Sequence, residues 1–321
     1  MNILITSAGS RNKIVQYFKK EIKDSDGKVI ATDMSNLAPA IYDADKFYLV
    51  PRIDCENYID TLIEICKKEK IDCMFALIDP ELSLIAKNKK KFLEIGVVPL
   101  ISDYDAVELA FNKYEMYKYL SNKNIKTPKT YISKEEFYSD LKKAKITFPV
   151  FVKPIKGSAS INISKVNSVE EIELLFSLYD DLIIQEYMNG QEIGADVYID
   201  PISKKVVSIF TKEKIKMRAG ETDKSKSFKD EKLFNLITSV VEEIGYEYMI
   251  DIDIFKINDE YYISEINPRF GGGYPHAYES GVNFPKLIIN SINGIENKKE
   301  IGNYNEGIYM MKYNEIKILE K

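Results

Sequence analysis

Strand-like and helix-like segments alternate through the first hundred residues, and this order constrains the fold more than any other feature of the sequence. Short apolar runs predict the strands, and amphipathic patterns between them predict the helices. In chain order these segments lie at 2–6, 13–22, 28–32, 58–68, 72–77, 81–95 and 97–100. Apolar strands separated by helices are typical of parallel βαβ units, whose sheet is covered on both faces. The sequence therefore predicts an α/β domain over 1–111.

The pattern changes after residue 111, where longer alternating segments become common. Helices are predicted at 113–122, 134–143 and 231–244, and strands at 148–154, 182–187, 192–199, 205–211, 249–256 and 261–266, with a weak edge strand after 303. Long alternating strands in succession favour antiparallel sheets. We therefore predict an α/β domain followed by α+β structure, with segments 1–111, 112–187 and 188–321.

Charge, cysteine content and hydropathy exclude several classes of protein. The 321 residues include 45 Lys plus Arg and 50 Asp plus Glu, a net charge of −5, so we expect no nucleic-acid binding. Cys55, Cys66 and Cys73 form no Cys-x-x-Cys pair, which argues against a disulfide framework or a zinc site. The apolar runs fall far short of the ~20 residues of a membrane span. We expect a cytoplasmic protein without a signal peptide.

The hairpin at 249–266 carries the most informative set of polar residues. Asp253 lies on its first strand, Glu265 ends its second strand, and Asn267 follows two residues later. Side chains alternate along a strand, so 265 and 267 share a face that Asp253 can share across the hairpin. Two carboxylates and an amide oxygen suit Mg²⁺, which commonly takes one or two carboxylates with phosphates and water. The alternative is a solvated hairpin that carries acids, but its apolar neighbours predict burial.

Two further basic residues stand where a phosphate site would need them. Arg269 falls on the same side as Asn267 if the chain stays extended, and a guanidinium there suits a phosphate group. Lys153 ends a very apolar strand before the small-residue turn 157–160, whose N–H groups can cover phosphates. The alternatives are a salt bridge for Arg269 and ordinary solvation for Lys153.

These residues, taken in order along the chain, resemble the ATP-grasp superfamily over about 110–290. The matching pieces are Asn112-Lys113, the strand 148–154, Gly157-Ser158, 185–188, Gly190-x-Glu192, Asp251-Ile252-Asp253 and 265–272, which begins Glu-Ile-Asn-Pro-Arg. The start of the chain, at 3–11, and the stretch 212–227 look like the carbamoyl-phosphate-synthase-like branch. The resemblance implies a Rossmann-like pre-ATP-grasp domain followed by a two-part ATP-grasp fold.

The resemblance also implies which residues bind ATP. They are Lys113, Lys153, Gly157, Ser158, Ser160, Glu186, Tyr187, Met188 and Glu192. In the family pattern the two lysines contact phosphates, the turn covers them, and 186–188 form the hinge that reads the adenine edge. Glu192 accepts hydrogen bonds from the ribose hydroxyls. The turn has fewer glycines than in many relatives and lacks their basic residue.

For metal binding and catalysis, the resemblance assigns Asp253, Glu265 and Asn267 to one or two Mg²⁺ ions, with Mn²⁺ as an alternative. Arg269 and Lys153 stabilise the transferred phosphoryl group. The resemblance also implies that Arg218 binds the acid substrate or its phosphate. Arg218 lies in a basic stretch, 212–226, whose alternative interpretation is a solvated, mobile loop.

The resemblance implies an ATP-dependent carboxylate–amine ligase that works through an acyl phosphate and releases ADP and phosphate. Its expected partners are small-molecule acids and amines, amino acids among them, and a homodimer is usual for relatives. Two alternatives stay open: an enzyme that forms carboxyphosphate from bicarbonate, and an ATP-binding protein without turnover. An NAD-dependent dehydrogenase is disfavoured because Gly9 lacks a full Gly-x-Gly-x-x-Gly run. The lone His276 is expected to pack or to line the cleft.

Overall fold

The first part of the chain forms a parallel sheet with helices on both faces. The computed structural model describes residues 1–157 and 163–319. The first elements are β1 (Asn2–Thr6), α1 (Asn12–Ile22), β2 (Lys28–Asp33), a 3-10 helix (Pro39–Asp43), β3 (Lys46–Leu49), α2 (Tyr58–Glu69), β4 (Cys73–Ala76), α3 (Asp79–Lys87), α4 (Lys89–Glu94), β5 (Val98–Pro99) and α5 (Tyr104–Phe111). The strand order is β3-β2-β1-β4-β5, and every pair is parallel. The order reverses between β1 and β4, so a crevice opens at their carboxyl ends.

The middle part forms a small antiparallel sheet with a core of its own. Its elements are α6 (Lys113–Asn122), β6 (Thr130–Tyr131), α7 (Lys134–Lys142), β7 (Val150–Pro154), β8 (Ser164–Val166), α8 (Val169–Leu178) and β9 (Leu182–Glu186). The strand order is β6-β9-β7-β8. Asn112 caps α6 by accepting hydrogen bonds from the backbone N–H groups of Tyr114 and Glu115. This cap places Lys113 at the first position of the helix.

The last part is a six-stranded antiparallel sheet. Its elements are β10 (Gln191–Asp200), β11 (Lys205–Arg218), β12 (Glu221–Phe228), α9 (Glu231–Ile244), β13 (Tyr248–Ile257), β14 (Glu260–Asn267), α10 (Pro275–Glu279), α11 (Phe284–Ile292) and β15 (Tyr309–Met311). The order is β14-β13-β10-β11-β12-β15. Asp230 caps α9, and Gly245 ends it with φ +81°, a left-handed conformation that costs glycine little.

One hydrophobic core joins the first sheet to the six-stranded sheet. Phe18 and Phe75 pack with ring centroids 4.9 Å apart, and Phe75 lies 5.5 Å from Phe270. All three are buried, and full burial of such a side chain stabilises the fold by about 1.5–3 kcal/mol. The segment after β14 is therefore fixed against the carboxyl ends of β1 and β4.

The structure corrects several sequence predictions. The stretch 212–226, for which a mobile loop was the alternative, is a hairpin formed by β11 and β12 around Ala219 and Gly220. The helix predicted at 81–95 is two helices that meet at Asn88. The weak alternation after 303 yields one short edge strand, β15, which pairs with β12. The segments 46–49, 104–111, 169–178 and 284–292 form regular elements that the sequence analysis did not predict.

Candidate active site

The hairpin of β13 and β14 brings the predicted metal ligands together. Asp253 pairs directly with Glu265 in the ladder, and Asn267 pairs with Asp251 two positions further along. All four side chains line one cavity of about 120 Å³ that opens between the first sheet and the six-stranded sheet. The shared face that strand alternation predicted is therefore present in the structure.

The hairpin presents oxygen donors of the kind that Mg²⁺ prefers. Within 1–157 and 163–319, the structure has no group of three or more His, Cys, Asp or Glu side chains placed to hold a metal ion. The hairpin instead supplies two carboxylates and one amide oxygen, from Asp253, Glu265 and Asn267. Mg²⁺ keeps several waters and is usually bound by one or two carboxylates plus substrate phosphates. The residues present fit an ion that arrives with a nucleotide.

Two lysines reach this hairpin from the middle part of the chain. The Lys113 ammonium lies 3.4 Å from a Glu265 carboxylate oxygen and donates a hydrogen bond to the Gly157 carbonyl at 2.5 Å. Lys153 is buried at the end of β7, and burial lowers its pKa to about 8, against the opposing effect of Glu265. Lys153 and Lys113 thus place two cations beside the acidic hairpin. Ser158 and Ser160, predicted to cover phosphates with Gly157, lie outside the described residues.

A third lysine, Lys214, was missed by sequence analysis because its stretch was assigned no strand. Its ammonium donates to Asp253 at 2.6 Å and to Glu192 at 2.9 Å. Burial acts to lower the pKa of Lys214, but the Asp253 and Glu192 carboxylates outweigh this effect and raise it. Lys214 links the predicted ribose-binding acid to the predicted metal ligand. If a strand had been assumed at 212–214, the alternation Lys212-x-Lys214 would have indicated that both lysines point to the same face of the sheet.

The predicted hinge lies where β9 leads into β10. The Glu186 carboxylate accepts a hydrogen bond from the Lys129 N–H at 3.0 Å, and the Glu186 N–H donates to the Lys129 carbonyl at 2.8 Å. Tyr187 lies with its ring centroid 5.5 Å from that of Phe151, and Met188 is buried. The segment is thus held from one side by Lys129 and bounded by apolar side chains.

Arg269 lines the cavity and is held by an acid of the parallel-sheet part of the chain. Its Nε and Nη2 each lie 3.0 Å from an oxygen of Asp79, at the start of α3, and its Nη1 donates to the Phe270 carbonyl. Burial acts to lower the pKa of Arg269, but Asp79 and Asp251 outweigh it and keep the pKa above its ordinary value. The salt-bridge alternative considered for this arginine is therefore realised, with Asp79 as the partner.

Arg218, which was predicted to bind the acid, is more exposed than Arg269 and has a different acid as its partner. Arg218 ends β11 with a half-exposed side chain, 3.0 Å from Asp223. Arg11, which follows β1, lines the cavity and pairs with Glu221 at 2.5 Å. The position of Arg11 in the cavity was not predicted. Its place after the first strand of an α/β sheet could have indicated it, because ligands bind at the carboxyl ends of such strands.

Glycines after β14 allow charged groups to approach the backbone. A Cβ on Gly271 would overlap the Asp251 carboxylate, and a Cβ on Gly272 would lie 2.6 Å from Nη1 of Arg11. Burial raises the pKa of Asp251 to about 7, and the Asp253 and Asp196 carboxylates act in the same direction. The absence of a side chain at Gly271 and Gly272 therefore allows the backbone to pack directly against charged groups of the cavity.

His276 is buried behind the glycine run. Its Nδ1 lies 2.7 Å from the Ser225 hydroxyl, and its ring packs edge-on against Phe210, with centroids 4.9 Å apart. Burial lowers its pKa to about 4, and Lys212 acts in the same direction. Packing, one of the two expectations for this residue, describes its position.

Comparisons with known proteins agree with this architecture. A family model described as "PylC-like, N-terminal domain" matches 3–101, and one described as "ATP-grasp domain" matches 110–273. Carbamoyl-phosphate synthase of Methanobrevibacter smithii is 24% identical over 80% of this chain and 72% of its own length. D-alanine–D-alanine ligase of Fervidobacterium nodosum is 25% identical over 84% of this chain and 93% of its own length.

A solved structure gives the same result for the fold. The biotin carboxylase domain of Hydrogenobacter thermophilus 2-oxoglutarate carboxylase, in complex with MgADP, ADP and bicarbonate, superposes with a TM-score of 0.77 at 15% identity. The superposition covers 96% of this chain and 73% of that one. Among the described residues, no helix is long and apolar enough to cross a membrane. The match to the ATP-grasp model spans half of the sequence, and the chain belongs to the ATP-grasp family.

Proposed function

We propose that this chain is an ATP-dependent carboxylate–amine ligase that works through an acyl phosphate. The observation that carries the proposal is the convergence of Lys113 and Lys153 on the hairpin face that bears Asp253, Glu265 and Asn267. Cations and oxygen ligands that meet at one cavity suit a bound triphosphate. The relatedness to D-alanine–D-alanine ligase supports the same class of reaction.

The proposed reaction has two steps. A carboxylate oxygen of the acid attacks the γ-phosphorus of ATP, the bond from that phosphorus to the bridging oxygen breaks, and ADP leaves with the electron pair. The amine nitrogen then attacks the carbonyl carbon of the acyl phosphate. The bond from this carbon to the phosphate oxygen breaks, phosphate leaves with the electron pair, and the nitrogen loses a proton to solvent.

The side chains promote these steps by position and charge. In this proposal Lys113, Lys153 and Arg269 bind the phosphates, the two lysines from the middle part of the chain and Arg269 from the segment after β14. A divalent ion held by the hairpin carboxylates and Asn267 would neutralise the β- and γ-phosphate oxygens. Charges fixed before the reaction stabilise the charge that develops during transfer, so no covalent nucleophile is required. Glu192, which accepts a hydrogen bond from Lys214, would accept hydrogen bonds from the ribose.

Phosphate release with MgATP tests the proposal. Amino acids and small acids are screened in pairs with amines, and bicarbonate is screened without either. We expect phosphate release to require one acid and one amine, and bicarbonate-dependent release alone would favour the carboxyphosphate alternative. Glu265→Gln and Asn267→Ala should each abolish turnover while the far-UV circular dichroism stays unchanged.

A matched control lies on the same strand. Glu260 starts β14 and pairs with Lys126 and Lys232 at the opposite end of the hairpin. Glu260→Gln removes the same charge from the same element and should keep full turnover. Wild-type turnover by Glu265→Gln would rule out the assignment of the metal ligands.

A further inference from the structure

Asp251 is a carboxylate of the cavity to which the proposed reaction gives no role. Asp251 lies on β13, two residues before Asp253 and opposite Asn267. Its side chain lines the same cavity as Arg11 and is 16% exposed. It therefore faces the same cavity as Arg269 and the proposed metal ligands, where we expect the acid substrate to bind next to the nucleotide.

The cations around Asp251 are each held more closely by another acid. Arg269 lies 3.0 Å from Asp79 but 3.7 Å from Asp251. Lys214 is bonded to Asp253 at 2.6 Å, and Lys212 is paired with Asp196. Across 1–157 and 163–319, the 3.7 Å contact is the one ion pair that reaches Asp251. Because its nearest cation among the described residues is 3.7 Å away, the Asp251 side chain keeps acceptor oxygens that can receive hydrogen bonds from an ammonium group in the cavity.

The backbone beside Asp251 is shaped to hold its carboxylate in place. Any side chain at Gly271 would overlap the Asp251 carboxyl group, so the backbone packs directly against it. The carboxylate is thereby confined between this backbone and the cavity. Such confinement limits the rotation of the side chain and favours a directed contact with a ligand.

We propose that Asp251 binds the ammonium group of the acid substrate, and that the acid activated by this enzyme is an α-amino acid. This inference rests on the proposed ligase function. Asp251 and Asp253 are two residues apart on one face, about 7 Å at about 3.4 Å per residue. The nitrogen and carboxyl carbon of an α-amino acid are joined by two bonds of about 1.5 Å. With one charge-assisted hydrogen bond of about 2.8 Å, the carboxyl carbon of such a molecule would lie about 5–6 Å from the Asp251 carboxylate, a separation comparable to that between the two strand positions.

A hydroxamate assay tests this step without knowledge of the natural amine. Hydroxylamine replaces the amine and converts an acyl phosphate into a coloured ferric hydroxamate complex. The probes are α-amino acids paired with 2-hydroxy acids of the same side chain: alanine with lactate, serine with glycerate, aspartate with malate and glutamate with 2-hydroxyglutarate. We expect hydroxamate from at least one amino acid and at least tenfold less from its hydroxy acid partner.

The Asp251→Asn variant then connects this preference to one residue. Asn keeps an acceptor oxygen but removes the negative charge that strengthens a hydrogen bond to an ammonium group, so KM for the amino acid should rise about 10- to 100-fold. KM for MgATP should stay unchanged, and Asp259→Asn, in the exposed turn of the same hairpin, should behave as wild type. Binding of MgADP to Asp251→Asn, measured by calorimetry, confirms that the variant is folded.

Different outcomes overturn different parts of the account. Equal turnover of amino and hydroxy acids by wild type, or an unchanged amino acid KM in Asp251→Asn, overturns the ammonium site and leaves the ligase standing. A change in the Mg²⁺ requirement of Asp251→Asn, with no change in amino acid KM, also overturns it by making Asp251 part of a metal site. If wild type yields no hydroxamate from any acid, the proposed function fails and this inference falls with it.

Discussion

The two hairpins of the six-stranded sheet carry charged side chains into the interior in different ways. In the hairpin of β11 and β12, Lys212 is paired with Asp196, and their side chains are 1% and 2% exposed. In the hairpin of β13 and β14, the side chains of Asp253 and Glu265 are 29% and 25% exposed and face the cavity. The Lys212–Asp196 pair is sealed within the protein, whereas Asp253 and Glu265 are open to the cavity.

This difference suggests which charges support the fold and which support the chemistry. A sealed ion pair loses its hydration, so removal of one partner leaves an uncompensated charge and is costly. An acid on an open cavity keeps some solvent, and its replacement by the matching amide changes little in the folded state. Stability and turnover should therefore respond to different substitutions within the same sheet.

The largest expected effect on stability is at the sealed pair. Asp196→Ala leaves the Lys212 ammonium buried without its partner and should lower the free energy of unfolding by about 3–5 kcal/mol. Urea unfolding followed by circular dichroism measures this change. The double substitution Asp196→Leu with Lys212→Met removes both charges and should recover most of the loss. A loss below about 1 kcal/mol in Asp196→Ala would show that the pair is not sealed.

The next effect is the dependence of stability on pH at His276. Its pKa falls from about 6.5 in an unfolded chain to about 4 in the fold, chiefly through burial. Between these values the unfolded chain binds a proton that the folded chain does not, so stability is complete above pH 6.5 and declines as the pH falls toward 4. The loss should reach about 3 kcal/mol. His276→Gln should remove this part of the acid sensitivity. If the free energy of unfolding of the variant falls between pH 7 and pH 4.5 by as much as that of wild type, the prediction is contradicted.

Lys214 connects the two hairpins and should give an intermediate effect. Lys214→Met leaves Glu192 and Asp253 without their shared cation, so we expect a stability loss of about 1–2 kcal/mol. Because both acids belong to the proposed nucleotide site, the affinity for MgATP should fall about tenfold, a change of about 1.4 kcal/mol. Calorimetric titration measures this. Unchanged affinity would assign Lys214 to the fold alone.

The smallest effect on stability is expected at the open cavity. Glu265→Gln should change the free energy of unfolding by no more than about 0.5 kcal/mol, although it abolishes turnover. Parallel urea unfolding of wild type and variant checks this. A loss as large as that of Asp196→Ala would mean that both hairpins carry structural charges and would remove the distinction between them.

Much of the fold could be predicted because its buried strands are apolar. The recognition as ATP-grasp and the order of a parallel sheet followed by antiparallel sheets are confirmed. The hairpin of β13 and β14 was located to within one residue because Ile250, Ile252 and Ile254 alternate with polar residues. The helix at 231–244 was found with its bounds because its cap and its final glycine are marked in the sequence.

The buried polar side chains could not be predicted, because they are buried through pairing with other polar groups rather than through hydrophobicity. Lys212, Lys214 and Ser225 are all buried, yet a pattern of apolar residues cannot reveal them. Their partners are Asp196, Asp253 and His276, each more than fifteen residues away in sequence or on another strand. The same limit applies to the site, where Arg11 and Asp79 reach the cavity from the first sheet. The roles of the predicted ATP- and metal-binding residues, and the domain boundaries, stay predictions.

Calorimetric titration of ATP with and without Mg²⁺ tests the central claim most directly. It is carried out on wild type, Glu265→Gln and the control Glu260→Gln. We predict that Mg²⁺ strengthens ATP binding in wild type and in Glu260→Gln, and that this gain is lost in Glu265→Gln. A gain of equal size in all three proteins would contradict the assignment of the hairpin as the metal and triphosphate site.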